Sequence, residues 1–444
     1  MDTPIADFVR DYADKNTVRL HMPGHKGRPF LGCERLDITE VSGADALYEA
    51  GGIIARSEEN ATALFSSGRT VYSTEGSSQC IRAMLYLAVT GRPEGTPPVV
   101  VAARNVHKSF SYAAALLDFE TVWLPVEEDD SLCSCRVSKE SLERTLSALE
   151  QPPAAVYVTS PDYLGVRADI SSLAEVCHGH GTVLAVDNAH GAYLRFLEKP
   201  AHPLDLGADI CCDSAHKTLP VLTGGAYLHI GKNAPASFRE NAKAAMAIFG
   251  STSPSYLTLM SLDVCNGCLA GDYPVRLAET VKRLDDTRAR LAAAGWRVEA
   301  TDPLRITVRA PARSSGTELA HILRAGGIEC EFADPDFLVL MATPENSPED
   351  FSRLCGALGE NKDRNFRRPP RVPQPGERVL SAREALFGRC RTIPADEAAG
   401  HICGGPTVSC PPAVPIAAPG ERITREAAAL FGYYGINTVE AAVI

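Results

Sequence analysis

Lys217 stands in the stretch Asp213-Ser-Ala-His-Lys-Thr-Leu-Pro220, directly after the apolar run Ala208–Cys212. An amine in that place is either a surface charge closing a strand or a buried group held for chemistry. A desolvated lysine has a lowered pKa and becomes a nucleophile suited to forming an imine with a carbonyl. Asp187 ends a second apolar run, Thr-Val-Leu-Ala-Val-Asp. A carboxylate there is partly buried and needs a partner: a protonated ring nitrogen, an arginine or a helix N-terminus. Gly76, Ser77 and Ser78 open a helical pattern after a third run. Backbone N–H groups at a helix start favour an anion, and small hydroxyl residues add donors without crowding. The same residues also serve as an ordinary cap. His107 and His216 could stack on a ring, shuttle protons or fill a polar pocket.

These groups follow strands of one repeating pattern. Short β-branched runs at 70–72, 98–102, 121–126, 154–159, 182–186, 208–212 and 225–230 are separated in several places by helix-like stretches. That alternation predicts an α/β fold with a mostly parallel sheet covered on both faces. In such sheets ligands bind at the carboxyl ends of the strands. Helix-start donors, a strand-end acid and a strand-end lysine on one rim match the needs of pyridoxal 5'-phosphate. The acid keeps the pyridine nitrogen protonated, the lysine holds the aldehyde, and the helix start holds the phosphate.

Beyond residue 270 the pattern changes. A long helix is predicted around 273–294, then strand, helix and strand at 304–308, 318–325 and 337–341, a smaller α+β domain. Residues 361–375 are polar and proline-rich and read as a linker. A helix is expected from Ser381, and the stretch Pro-Pro-Ala-Val-Pro-Ile-Ala-Ala-Pro-Gly-Glu is too restricted in φ for a central helix. The expected division is an N-terminal segment (1–60), a cofactor-binding large domain (61–270), the small domain (271–365) and a C-terminal region (366–444).

The 444 residues are 45% apolar and 22% charged, as in soluble globular proteins. A net charge of −11 argues against nucleic acid or an anionic membrane as the main partner. No run reaches membrane-spanning length, and the acidic start lacks the features of a signal peptide, so a cytoplasmic protein is expected. Fourteen cysteines are scattered through the chain and read as small buried hydrophobes in reduced form. Cys265 and Cys268 have metal-like spacing, but no second pair suits a structural zinc, so a plain helical segment and no metal are expected.

The segments His21-Met-Pro-Gly-His-Lys-Gly27, Asn105-Val-His-Lys-Ser109, Thr159-Ser-Pro161, Asp187-Asn-Ala-His-Gly191, Ser214-Ala-His-Lys-Thr-Leu-Pro220 and Ser251-Thr-Ser-Pro-Ser-Tyr256 give the chain its resemblance. It resembles the bacterial ornithine/lysine/arginine decarboxylases, in their short form, over about residues 18–270. The resemblance implies the aspartate-aminotransferase fold (fold type I), with a seven-stranded, mostly parallel sheet in the large domain. It implies that Lys217 holds the cofactor covalently, Asp187 pairs with its ring nitrogen and His107 stacks on the ring. Gly76, Ser77 and Ser78 would hold the phosphate, with His190, Ser214 and His216 around the lysine. The active site would lie between two subunits, with Ser251-Thr252 reaching the partner's cofactor, so a homodimer or larger homo-oligomer is expected. Two departures stand out. Many members have glutamate where this chain has Asn188, and polar residues usually follow the lysine loop where it has Gly224-Gly225.

The implied reaction is decarboxylation of arginine, lysine or ornithine to the corresponding amine, with Lys217 displaced by the substrate and with His216 or Lys217 returning a proton to Cα. An aminotransferase or another α-carbon lyase would need the same cofactor residues, and an idle cofactor-binding regulator would need fewer of them.

Overall fold

The computed structural model describes residues 1–15, 17–127, 131–406 and 412–444. Strands β1 (Arg69–Ser73), β2 (Val99–Ala102), β3 (Glu120–Trp123), β4 (Ala155–Thr159), β5 (Leu184–Asp187), β6 (Ile210–Asp213) and β7 (Ala226–Ile230) have the sheet order β1-β7-β6-β5-β4-β2-β3. β5 pairs parallel with β6, and β2 pairs parallel with both β3 and β4. β7 runs antiparallel to β1 and to β6. Each strand falls on one of the apolar runs, because β-branched residues without alternation suit strands buried on both faces. The run at 121–126 pairs only as far as Trp123. Pro125, which has no N–H for a ladder, lies just beyond.

The described chain forms two compact units, Met1–Glu94 with Ile170–Val275 and Gly95–Asp169 with Arg276–Ile444. The first carries β1, β5, β6 and β7. Its first helix, Pro4–Asp14, begins with proline, whose missing N–H is no loss at that position. The N–H groups of Ile5 and Ala6 both donate to Oδ2 of Asp263, at 2.9 Å, from the helix Tyr256–Ala270. Oδ1 of Asp263 accepts the Ser57 hydroxyl at 2.5 Å. A buried carboxylate therefore satisfies the open end of the N-terminal helix. Cys265 and Cys268 lie on the Tyr256–Ala270 helix.

The second unit holds an antiparallel sheet of β8 (Arg297–Val298), β9 (Arg305–Arg309), β10 (Phe332–Ala333) and β11 (Phe337–Met341), in the order β10-β11-β9-β8. Helices Gly316–Ala325 and Pro348–Leu358 both begin with capping boxes, Ser315 with Glu318 and Ser347 with Asp350. Residues 361–375 form no helix or extended strand, only an isolated bridge from Phe366 to Pro311. The helix expected from Ser381 spans Ala382–Phe387, with Ser381 as its cap. Three elements of this region were not foreseen. They are the antiparallel pair β12 (Cys390–Pro394) with β13 (Thr438–Ala442) and the helix Arg425–Tyr433. The described part of the proline-rich stretch, residues 412–421, is not helical; Pro411 lies outside the described residues. No helix among the described residues is long and apolar enough to cross a membrane.

Inside the second unit a buried ion pair joins distant segments. Nη1 and Nη2 of Arg104 donate to the two carboxylate oxygens of Glu421 at 2.8 and 2.7 Å. The guanidinium also lies 4.7 Å from the centroid of the Trp123 ring. Glu421→Ala would leave this cation buried without its counter-charge. The expected loss is about 3–5 kcal/mol, read as a lower midpoint in urea unfolding. Asp334 is a different case. Burial pushes its carboxyl up to about 7, although Oδ1 accepts the N–H groups of Asp336 and Phe337. The native state thus holds this proton more tightly than the unfolded chain, so its contribution to stability is complete below the ordinary carboxylate range. That contribution falls as pH rises from the ordinary value of 3.8 to about 7. Asp334→Asn should flatten the upper part of this fall in a series of unfolding curves. The lower part remains with Asp162, which burial raises to about 6.

Candidate active site

β6 ends at Asp213, and the chain turns through Ser214 into a single helical turn, Ala215–Thr218. That turn carries His216 and Lys217 at the end of the strand, half-buried rather than reaching into bulk water. Nζ of Lys217 lies 2.9 Å from Nε2 of His190, a buried residue of the turn that follows β5. The backbone N–H and Nδ1 of His216 both reach the carbonyl of Gly225, at 3.2 and 2.9 Å. A carbonyl can only accept, so Nδ1 carries the proton in this arrangement.

Asp187 is the last residue of β5 and is 2% exposed. Its backbone stands in register with Cys212 of β6. Oδ1 accepts the N–H of Ala189 at 3.2 Å, and the thiol of Cys212 points to the same oxygen at 3.7 Å. The sharp turn from Asp187 to Gly191 is closed by the N–H of Gly191 on the carbonyl of Asn188, at 2.8 Å.

The helix Ser77–Thr90 begins beside the lysine loop. Its first residue before the helix, Gly76, has φ 74° and ψ 178°, a conformation open essentially to glycine alone. Nothing lies within 4 Å of the place where a Cβ would stand, so the space over the helix start is clear. The N–H of Gly76 donates to the carbonyl of Gly224 at 2.7 Å. The hydroxyl of Ser214 donates to that of Ser77 at 2.7 Å. Ser78 lies in the first turn, where backbone N–H groups have no acceptor within the helix. Gly224, one of the two departures, has φ 95°, and a Cβ there would lie 2.7 Å from the carbonyl oxygen of Thr74. The close approach of the two loops therefore requires a glycine.

Seven of the expected residues are thus linked on neighbouring elements of the first unit: Gly76, Ser77, Ser78, His190, Ser214, His216 and Lys217, with Asp187 ending the adjacent strand. Thr252 lies in the exposed segment 251–253, where the N–H of Ser251 donates to Glu75. His107 belongs to the second unit and caps the helix Lys108–Leu117. Its Nδ1 accepts the N–H of Ser109 at 3.2 Å, which leaves the proton on Nε2. The sequence reading did not single out His202 and His229. Both are fully buried and turn Nε2 onto Oδ2 of Asp213, each at 3.1 Å. The only signal was Asp213 itself, a charge at the end of an apolar strand.

The sequence matches the family described as Orn/Lys/Arg decarboxylase, major domain, over residues 3–347. An arginine decarboxylase of Bacillus subtilis is 29% identical over 462 residues, which cover 96% of this chain and 92% of that protein. An arginine decarboxylase of Bacillus anthracis is 27% identical, covering 96% and 91%. Among solved structures, lysine decarboxylase A of Pseudomonas aeruginosa superposes with a TM-score of 0.82 at 18% identity, covering 99% of this chain and 80% of the other. The Francisella novicida lysine decarboxylase gives 0.81 at 16% identity, covering 99% and 79%. These likenesses give the fold, the α/β architecture of the fold type I enzymes. The length of the sequence match gives more: the chain belongs to the Orn/Lys/Arg decarboxylase family, and is a pyridoxal 5'-phosphate-dependent amino acid decarboxylase.

Proposed function

We propose that the chain removes the α-carboxylate of a basic amino acid, arginine, lysine or ornithine, and releases the amine. The observation that carries this reading is the half-buried Lys217 amine, turned onto His190 at 2.9 Å beside the helix start at Gly76–Ser78.

The residues present fit the cofactor. The glycine at φ 74° leaves open space above a helix start, as a phosphate needs, and the paired hydroxyls of Ser77 and Ser214 add donors at its edge. Asp187, buried at a strand end, is suited to keep a proton on a pyridine nitrogen. Bound pyridoxal phosphate supplies the electron sink that allows the bond from Cα to the carboxylate to break. Lys217 would hold the cofactor through its aldehyde carbon, and His190 would steady the lysine amine when it is free. Lys217 or His216 delivers a proton to Cα; the Nδ1 proton of His216 is engaged by Gly225, so Nε2 is the nitrogen that exchanges it. The distal cation of the substrate calls for a carboxylate partner.

We further propose a homodimer acting in the cytoplasm. Val18, Leu20, Met22, Phe30 and Leu31 are 61–91% exposed within one short segment, an apolar surface that a second copy would cover. Thr252, exposed in the single chain, would then lie against the partner's cofactor.

Two experiments test this. Purified protein should show the visible absorption band of the bound cofactor, and Lys217→Ala should lose it; an intact band in the variant would contradict the role of the lysine. Incubation with arginine, lysine and ornithine separately should yield carbon dioxide and an amine from at least one of them. A keto acid in place of the amine would sink the proposal. Light scattering on the same sample should give at least twice the mass of one chain.

A further inference from the structure

Asp213 is fully buried, and every hydrogen bond around it points toward it. His202 and His229 turn Nε2 onto Oδ2, both at 3.1 Å, and Nδ2 of Asn188 donates to Oδ1 at 2.6 Å. Burial works against the charge on this carboxylate, but the two histidines outweigh it and hold its pKa well below the usual carboxylate range. The backbone fixes the proton of His202, since Nδ1 accepts the N–H of Leu204, at 3.4 Å, and Nε2 must then be the donor. Nε2 of His229 faces the same carboxylate oxygen, which can only accept, so Nε2 is the donor; Nδ1 lies 2.8 Å from the Thr70 hydroxyl, itself 2.8 Å from that of Ser67. Burial lowers the pKa of His229.

The thiol of Cys211 lies 4.0 Å from Nε2 of His202, so His202, Cys211 and Asp213 form a cluster of potential metal ligands. A metal would need Nε2 of His202 without its proton, and Nδ1 would then have to carry one toward the N–H of Leu204. The backbone donor therefore selects the hydrogen-bonded arrangement over a metal.

Asn188 lies between two residues of the active site. Asp187 precedes it, and His190, the partner of Lys217, follows two places on. Asn188 also accepts the Gly191 N–H that closes the turn. Gly191 packs so closely that a Cβ there would meet Oδ1 of Asn188 at 2.1 Å. One side chain, tied to one buried anion, thus holds the turn that carries both neighbours.

We propose that Asn188 and Asp213 act as positioning residues. The ionised Asp213, held by His202 and His229, anchors Asn188, and the anchored turn 187–191 fixes Asp187 and His190 for the cofactor and for Lys217. This rests on the roles proposed above for those three residues. Neither Asn188 nor Asp213 touches the reacting atoms.

The pair can be inverted without losing a hydrogen bond. In Asn188→Asp/Asp213→Asn, the oxygen at 213 still accepts from both histidines, and the amide at 213 now donates to the carboxylate at 188. Asn188→Asp alone sets two carboxylates face to face, and Asn188→Leu removes the donor with no added charge. Each single variant should weaken binding of pyridoxal phosphate to the apoprotein, and slow turnover, by about tenfold or more. The double variant should bind pyridoxal phosphate and turn over better than Asn188→Asp though less well than the parent, because the carboxylate at 188 gains the amide of residue 213 but not the two histidines, and loss of packing alone would give no such recovery. Thermal unfolding of each apoprotein shows that the comparison is made on folded chains, and Asn188→Leu carries the test if Asn188→Asp does not fold. Unchanged cofactor binding in Asn188→Leu, or a double variant no better than Asn188→Asp, would overturn the proposal. Lys217→Ala separates the two levels. If it keeps the visible band, the proposed function fails; if it loses the band while Asn188→Leu binds cofactor normally, only the positioning role fails.

Discussion

An anion in the protein interior is tolerated only where enough donors converge on it, and Asp213 meets that condition with three. The consequence for the fold is local and strict. β6 must end where it does, β7 must bring His229 opposite Cys211, and the turn after β5 must offer an amide. Ser214 and the lysine turn follow the same residue, so the chemistry of the strand ends is tied to a polar cluster inside the first unit. Phe65 seals that cluster, its ring centroid 4.3 Å from that of His229. The aromatic wall keeps the local dielectric low and makes each of these bonds expensive to break.

The two loops at the helix start meet through backbone rather than side chains. Gly76 and Gly224 both have positive φ, and the N–H of one donates to the carbonyl of the other. The proposed phosphate site would owe its shape to main-chain geometry, with Ser77 and Ser214 completing the rim. Specificity for a substrate must come from other groups, since nothing in this cradle distinguishes one amino acid from another.

Much of the first unit was legible in the sequence, and the reason is the burial of its strands. Runs such as Leu184–Asp187 and Ile210–Asp213 are apolar without alternation, and their ends are marked by the abrupt arrival of Asn, His, Asp and Lys. The same abruptness exposed Asp187 and Lys217 as candidates. Asn188 was visible only as a departure from the family pattern. Its meaning depends on Asp213, 25 residues away, and on two histidines that look like ordinary strand and loop residues. Pairings of that kind are fixed by strand order, which periodicity does not encode. The C-terminal region was harder still. β12 and β13 are half-exposed strands separated by more than forty residues, with a connection that contains a proline-rich stretch and a helix of its own and so masks their pairing.

The carboxylate of Asp263 that closes the end of the first helix has a bearing on how the molecule is made. Ile5 and Ala6 leave the ribosome before their acceptor, which lies some 258 residues further along the chain. The unit to which they belong is itself interrupted by residues 95–169. During synthesis this helix end therefore lacks its native acceptor until the interrupting segment and the last three strands of the unit have been made. A chain released before residue 263 would lack the acceptor of that helix end, even though Lys217 itself would already be present.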